Sequence, residues 1–255
     1  MNIIVLVKQV PDTEAVLSVK EGKSINEENI KWIISPYDEY AIEEALKLKE
    51  KLPGSTVKVI SLGPNRVEST LRSALAMGAD SAAHIETDSF FDKKNISLLI
   101  GEAIKKSGEF GVIFSGRQSI DDDSYQTHIL VAEILGIPVA TNITSFVFED
   151  NKVIVEREID EGSVEKIEMP VPCLVAATKG LNEPRYASLM GIMKAKKIPI
   201  EKFKPEDLTT LPENMVSVEK LFSLPEKPQG RVLEGEPEDM VIELVKLLKE
   251  EAKVL

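Results

Sequence analysis

Val57-Lys58-Val59-Ile60-Ser61-Leu62-Gly63-Pro64, followed by Leu71-Arg72-Ser73-Ala74-Leu75-Ala76-Met77-Gly78, is the stretch that decides the fold. Residues 57–62 read as a strand closed by the Gly63-Pro64 break. Leu71, Ala74 and Leu75 then recur at helical spacing up to a glycine C-cap at Gly78. The same unit repeats outward in both directions. Upstream, Ile3-Ile4-Val5-Leu6-Val7 is an apolar run suited to a strand buried on both faces. Ser35 as N-cap and Pro36 at the first helical position then open a helix carrying Ala41, Ile42, Ala45 and Leu46. Downstream come a strand near 82–85, a helix over about 95–106, a strand over 111–115 and a helix with Ile129, Leu130, Ile134 and Leu135 before Gly136. Alternation of this kind implies right-handed crossovers and an α/β fold: an open, mostly parallel, doubly wound sheet with helices on both faces.

Beyond residue 144 the pattern changes. Phe146-Val147-Phe148 and Val153-Ile154-Val155 flank Glu149-Asp150-Asn151-Lys152 and predict an added β-hairpin, with Ile159, Val164 and Ile167 continuing as short extended segments around Gly162. These strands and the run 173–178 are expected to extend the sheet or cover one edge. From Pro199 onward prolines interrupt the chain, which predicts an extended arm without its own core. The arm ends in an amphipathic helix from about Pro237, with Val241, Leu244, Val245 and Leu248 on one face. Such a helix either meets a partner subunit or folds back on its own domain, and the partner is the natural surface. The expected organisation is an α/β domain over 1–200 and a C-terminal arm and helix over 201–255.

Composition narrows the function. The chain has 255 residues, 43% of them hydrophobic, enough for one substantial core. No apolar run reaches the roughly 18 residues that span a bilayer, so no direct membrane insertion is expected. The start enters the first strand without a basic leader or cleavage site, which points to a cytoplasmic, most simply prokaryotic, protein. A net charge of −12 argues against nucleic acid as the main partner, because phosphate-backbone binding needs a local excess of Lys and Arg. A single cysteine, Cys173, excludes a disulfide framework and multi-thiolate metal sites, and its apolar run marks a core residue.

Ligands of open α/β sheets sit outside the carboxyl ends of the strands, where the strand order reverses. Three loops lie at such ends. They are Val7-Lys8-Gln9-Val10-Pro11-Asp12-Thr13, Ser61-Leu62-Gly63-Pro64, and Ser115-Gly116-Arg117-Gln118-Ser119-Ile120-Asp121-Asp122-Asp123-Ser124-Tyr125-Gln126-Thr127. In the third, Gly116 lets backbone approach a ligand. The amides of Ser124, Tyr125, Gln126 and Thr127 are expected to open a helix whose N-terminus favours a phosphate. Three aspartates in a row count against a highly charged anion, and Asp121 or Asp123 can equally serve as a helix cap. A Mg²⁺ site there is disfavoured, because adjacent residues on one loop seldom converge as ligands, and no metal is expected.

Ordinary catalytic signatures are absent: neither Gly-x-x-x-x-Gly-Lys-Ser/Thr, nor Gly-x-Gly-x-x-Gly, nor Gly-x-Ser-x-Gly occurs. The two histidines, His84 and His128, lack metal-ligand spacing. His84 alternates with apolar residues and reads as structural. His128, one residue past the third loop, either approaches a ligand or lies on the surface. No catalytic residue is expected.

Several collinear motifs together resemble the β subunit of electron transfer flavoproteins. They are Val-Lys-x-Val at the start, Pro-Tyr-Asp-Glu-x-Ala-x-Glu-Glu-Ala from Pro36, Gly63-Pro64, Leu-Arg-Ser-Ala-Leu-Ala-Met-Gly-Ala-Asp from Leu71, the run from Ile120 to Thr127, and the block 181–197. The resemblance covers roughly residues 1–200. It implies an adenine nucleotide α-hydrolase-like fold and a heterodimer whose α subunit holds the redox-active FAD, with AMP bound structurally in the β subunit. It further implies a carrier between acyl-CoA dehydrogenase-type flavoenzymes and a quinone oxidoreductase or similar acceptor.

Carried over by position, the nucleotide pocket comprises Leu6, Ser35, Pro36, Tyr37, Asp38, Leu62 and the loop 116–127, with Gln126 and Thr127 at the phosphate. The block 181–197 corresponds to the loop that docks dehydrogenases, with Leu189 as the anchor and Arg185, Tyr186, Lys194 and Lys197 around it. Two branches of the family leave their mark. The segment 7–13 resembles electron-bifurcating members, which hold a second FAD in place of AMP and oxidise NADH. The segments 120–127 and 181–186 resemble the branch serving β-oxidation, and AMP is favoured because the third loop meets the phosphate. A reading from another class is a stand-alone ATP-binding protein of the universal-stress type, which shares the fold without the block 181–197.

Overall fold

The apolar run that follows Asn2 forms most of the central strand β1 (Asn2–Leu6). Short pieces follow: β2 (Gln9–Pro11), β3 (Val19–Lys20), β4 (Ser24–Ile25) and β5 (Trp32–Ile34). The alternating part then runs α1 (Pro36–Lys51), β6 (Thr56–Gly63), α2 (Val67–Met77), β7 (Ser81–Glu86), α3 (Lys93–Lys106), β8 (Val112–Gly116) and α4 (Thr127–Leu135). After it come β9 (Val139–Glu149), β10 (Lys152–Glu158), β11 (Val164–Pro170), β12 (Cys173–Ala177), α5 (Leu189–Ala195), β13 (Ile200–Phe203), α6 (Pro205–Leu208) and α7 (Pro237–Glu250). This computed structural model describes residues 1–223 and 230–255; the arm prolines Pro225 and Pro228 lie outside the described residues.

Nine strands form one sheet in the order β11-β10-β9-β12-β8-β1-β6-β7-β13. It is parallel from β9 to β13, while β10 and β11 add antiparallel. From β1 the chain first moves outward through β6 and β7, then returns to place β8 on the other side of β1. The sheet therefore changes direction between β1 and β8. Strand periodicity splits the core accordingly. Ile3, Val5 and Val7 pack with Ala41, Ile42, Leu71 and Leu75 of α1 and α2. Ile4 and Leu6 pack with Leu99, Ile104 and Val131 of α3 and α4.

Several expectations change. Residues 7–13 are not simply a loop, because β2 pairs antiparallel with β5. Strand β12, expected to extend or edge the sheet, lies inside it between β8 and β9, and all its residues are buried. The helix expected to open at Ser124 starts at Thr127, because Asp123 and Tyr125 adopt positive φ (45° and 57°), which breaks helical geometry before that point. The chain past Pro199 still contributes structure: β13 pairs with β7, and Leu208 and Leu211 pack on the second core cluster. No residue of the final helix is buried, and Val241, Ile242 and Leu244 are exposed.

The predicted hairpin is formed by β9 and β10, joined at Asp150-Asn151. Both residues have positive φ (49° and 58°), the signature of a type I′ turn whose twist matches that of the strands. Replacing Asn151 with Val, which has no access to this conformation without strain, is expected to lower stability by about 1 kcal/mol. Asn151→Gly should match or exceed the parent. Urea denaturation checks both, and equal midpoints for the Val and Asn proteins would count against the turn.

Candidate functional site

The ends of β1, β6 and β8 open on a cavity of about 800 Å³, mouth included, at the point where the sheet changes direction. Of the residues assigned to the nucleotide pocket, Leu6, Asp38, Leu62, Gly116, Gln118, Ser119, Ser124, Tyr125, Gln126 and Thr127 line it. Ser35, Pro36, Tyr37, Arg117, Ile120, Asp121, Asp122 and Asp123 are not part of that lining. The structure adds Val7, Lys8, Ile60, Lys93, Ile96, Ile100, Ser115 and His128. Of these, Val7, Lys8 and Ser115 belong to the first and third strand-end loops, and His128 had been singled out beside the third; its alternative place on the surface is excluded by burial to 4% exposure. Ile60, Lys93, Ile96 and Ile100 come from helix and strand faces that fold over the crevice, and no spacing in the sequence marks them.

A buried carboxylate forms the base of the site. Ser35 is the cap residue and Pro36 the first residue of α1, which places Asp38 in the first turn. Asp38 Oδ2 accepts the N–H of Lys8 at 2.7 Å and Oδ1 accepts that of Gly116 at 2.9 Å. Burial pushes its carboxyl up to about 7, against the pull of these two N–H groups and of the Lys8 charge. Gly116 has no space for a side chain: a Cβ there would stand 2.5 Å from Asp38 Oδ1 and 2.7 Å from Tyr37 Cβ. The glycine anticipated for ligand approach is thus required first by this carboxylate.

The aspartate run does not cap α4. The residue before that helix is Gln126, which makes no side-chain cap, and the aspartates turn to cations and amides instead. Lys8 Nζ reaches Asp121 at 2.7 Å, Asp122 at 3.2 Å and Ser119 Oγ at 3.1 Å. Lys93 pairs with Asp122, and Asp123 accepts from Gln118 Nε2. Partial burial works against ionising Asp122, but the bond from Lys93 and the charges of Lys8 and Lys93 prevail and hold its carboxyl well below the usual range. Among the described residues no group of three or more His, Cys, Asp or Glu side chains could hold a metal ion. The Arg117 guanidinium lies 4.9 Å from the Tyr37 ring and 5.5 Å from that of Tyr125, joining the third loop to the start of α1.

The fifth helix, α5, carries the other candidate surface. Ser188 caps it by accepting from Gly191 N at 3.0 Å. A Cβ on Gly191 would collide with the carbonyl of Ala76, so α5 sits directly on the end of α2. Arg72 donates to the carbonyls of Ala195 and Ile198, a cation at the helix C-terminus. Arg185, expected on the docking surface, is turned inward onto Glu43 (2.8 Å) and Glu50 (2.7 Å) of α1, so it fastens the loop. Asn182 does the same through the carbonyl of Tyr40 and the carboxylate of Glu44. Braced in this way, α5 holds Leu189 at 82%, Met190 at 82% and Met193 at 67% exposure, with Tyr186 nearly bare in front. Lys194 and Lys197 are also exposed.

A family model described as electron transfer flavoprotein domain matches residues 23–208. The chain is 43% identical to the electron transfer flavoprotein subunit beta of Bacillus subtilis, over the whole of both chains. It is 37% identical to the mitochondrial electron transfer flavoprotein subunit beta of Arabidopsis thaliana, again over the whole of both. Against subunit CarD of the caffeyl-CoA reductase–Etf complex of Acetobacterium woodii it is 38% identical, covering 98% of each chain.

Asp38 and His128 give the site opposite acid responses. Burial pushes the His128 imidazole down to about 4, so its contribution to stability is present above its ordinary value of 6.5 and is lost as pH falls toward 4. The raised Asp38 contributes most below its ordinary value of 3.8 and loses that contribution as pH rises to about 7. The two trends oppose each other between pH 4 and 6.5. Relative to the parent, His128→Gln is expected to lose stability with rising pH across this window, and Asp38→Asn to gain it. Urea denaturation across pH 4–7 reads the sign directly, and parallel curves for all three proteins would refute it.

Proposed function

The chain belongs to the electron transfer flavoprotein family as a β subunit, and from that premise we propose that it pairs with an α subunit and binds AMP in the pocket at the sheet's switch point. The redox-active FAD is held mainly by the α subunit and supplies the electron-carrying chemistry of the complex. In this reading the β chain performs no catalytic step. It shapes the carrier, binds the nucleotide structurally, and presents α5 to acyl-CoA dehydrogenase-type flavoenzymes, with a quinone oxidoreductase or similar acceptor downstream. The expected setting is a prokaryotic cytoplasm; among the described residues no helix is long and apolar enough to cross a membrane.

The observation that carries the reading is the pocket itself. Leu6, Ile60, Leu62, Ile96 and Ile100 supply apolar cover suited to a purine ring. The first residues of α4, Thr127 and His128, bring a helix N-terminus to the same space, suited to a phosphate. Lys8 and Lys93 are already paired with Asp121 and Asp122. The apolar, uncovered α7 supports a partner subunit and speaks against the stand-alone ATP-binding reading.

A second FAD in place of AMP, with oxidation of NADH by the complex, is the alternative favoured by the segment 7–13. Co-expression with the α subunit, followed by extraction of bound nucleotides, separates the readings. One FAD and one AMP per heterodimer is the expected result; two FAD would establish the alternative, and a colourless homodimer hydrolysing ATP would reject both.

Leu189→Ala is expected to slow reduction by a partner dehydrogenase by up to about thirtyfold at unchanged flavin content, since burying one leucine contributes about 2 kcal/mol. Stopped-flow reduction measures it, and unaltered rates would remove the anchor role.

A further inference from the structure

Helix α5 carries its apolar residues on the outside. Gly191 and Ala195, neighbours one turn apart, face the domain: a Cβ on Gly191 would stand 2.3 Å from the Ala76 carbonyl oxygen, and Ala195 is buried. Leu189, Met190 and Met193 fall on the opposite side, with Met190 and Met193 again one turn apart. The Ser188 cap, the Arg72 bonds to the carbonyls of Ala195 and Ile198 and the Arg185 clamp on α1 keep the helix from rolling to cover them.

These two thioethers stand apart from the other sulfur atoms of the chain. Of seven methionines, Met1, Met77, Met169 and Met240 are partly or wholly covered, while Met190, Met193 and Met215 are exposed. Met215 lies on the arm beside the start of α3, which covers the other face of the sheet from α2 and α5. The single thiol does not compete. Cys173 is fully buried, and burial pushes its thiol up to about 12, so it offers an oxidant no reachable thiolate.

We propose that Met190 and Met193 form an oxidation site at which hydrogen peroxide weakens the docking of dehydrogenases. The inference rests on the docking role given to α5 above. Each thioether takes one oxygen atom from peroxide: the sulfur lone pair forms an S–O bond, the O–O bond breaks, and water leaves. Sulfur is oxidised by two electrons and peroxide is reduced by two. Reduced flavins yield peroxide with dioxygen, so the oxidant arises close to a flavin carrier. A sulfoxide oxygen is a strong hydrogen-bond acceptor, and burying it against an apolar partner surface leaves it unsatisfied. Because the helix is held in place, the change falls on the contact surface and spares the core.

The test uses the αβ complex, treated with hydrogen peroxide, freed of it, and then reduced in stopped flow by an acyl-CoA dehydrogenase loaded with its acyl-CoA. Each protein is compared with its own untreated sample. Peptide mass spectrometry should find an added oxygen on Met190, Met193 and Met215. The treated parent should be reduced about tenfold more slowly, equivalent to losing part of the burial of one methionine side chain. Methionine sulfoxide reductases A and B together should restore the rate. The double variant Met190→Leu, Met193→Leu should keep most of its own untreated rate after treatment, whereas Met215→Leu should slow as the parent does. Equal slowing of the double variant and the parent, an unslowed parent oxidised at both residues, or a pair left unoxidised where Met215 is oxidised would overturn the site and leave the docking role in place. A Leu189→Ala complex reduced at the parental rate would overturn the docking role, and the site with it.

Discussion

One buried carboxylate joins the two strands between which the sheet changes direction. Where β1 and β8 end, their chains separate, and the N–H groups of Lys8 and Gly116 lose the partners that a continuing ladder would give them. Asp38 accepts both. A buried donor left without an acceptor costs about 1–3 kcal/mol, so two at the mouth of a crevice would favour its collapse. The carboxylate keeps it open, and only a residue without a side chain at position 116 leaves space for it. The pocket, the turn of α1 and the path of the third loop all follow from this contact.

Charge is arranged in the same spirit. The third loop carries three aspartates in a row, and none is left as bare negative charge beside the cavity. Lys8 and Lys93 converge on Asp121 and Asp122 from two different elements, and Gln118 holds Asp123. These pairs are about one-third exposed, so their value in stability is modest. Their effect is on the pocket: both ammonium groups are neutralised in place, and what remains for an incoming ligand is apolar surface and helix-end dipole.

The architecture was legible because apolar periodicity governs it directly. Runs such as 3–7 and 57–62 could only be strands covered on both faces, and the helices between them repeat at 3.6 residues. The strand-end loops followed from topology alone. What stayed hidden depends on tertiary direction. Lys93, Ile96 and Ile100 reach the cavity because α3 lies across it, and nothing local distinguishes them from other residues of an amphipathic helix. Arg185 looked like a surface cation and is drawn inward by Glu43, a carboxylate buried on α1 more than a hundred positions earlier. The start of α4 was misplaced because Asp123 and Tyr125 take left-handed backbone, which their identities only weakly announce.

The N-terminus of α3 ties the pocket to the arm. Asp92 caps that helix through Asn95 N, and its second oxygen accepts the N–H of Met215. Asn214 accepts from the Asp92 N–H and from Asn95 Nδ2, while Asn95 Nδ2 also donates to the carbonyl of Pro212. The next residue, Lys93, holds Asp122 of the third loop. A single helical turn therefore fixes the wall of the cavity on one side and the departure of the C-terminal arm on the other. Segments 212–215 are held by hydrogen bonds to a defined turn, so the arm leaves the domain from a set point although α7 buries nothing against it.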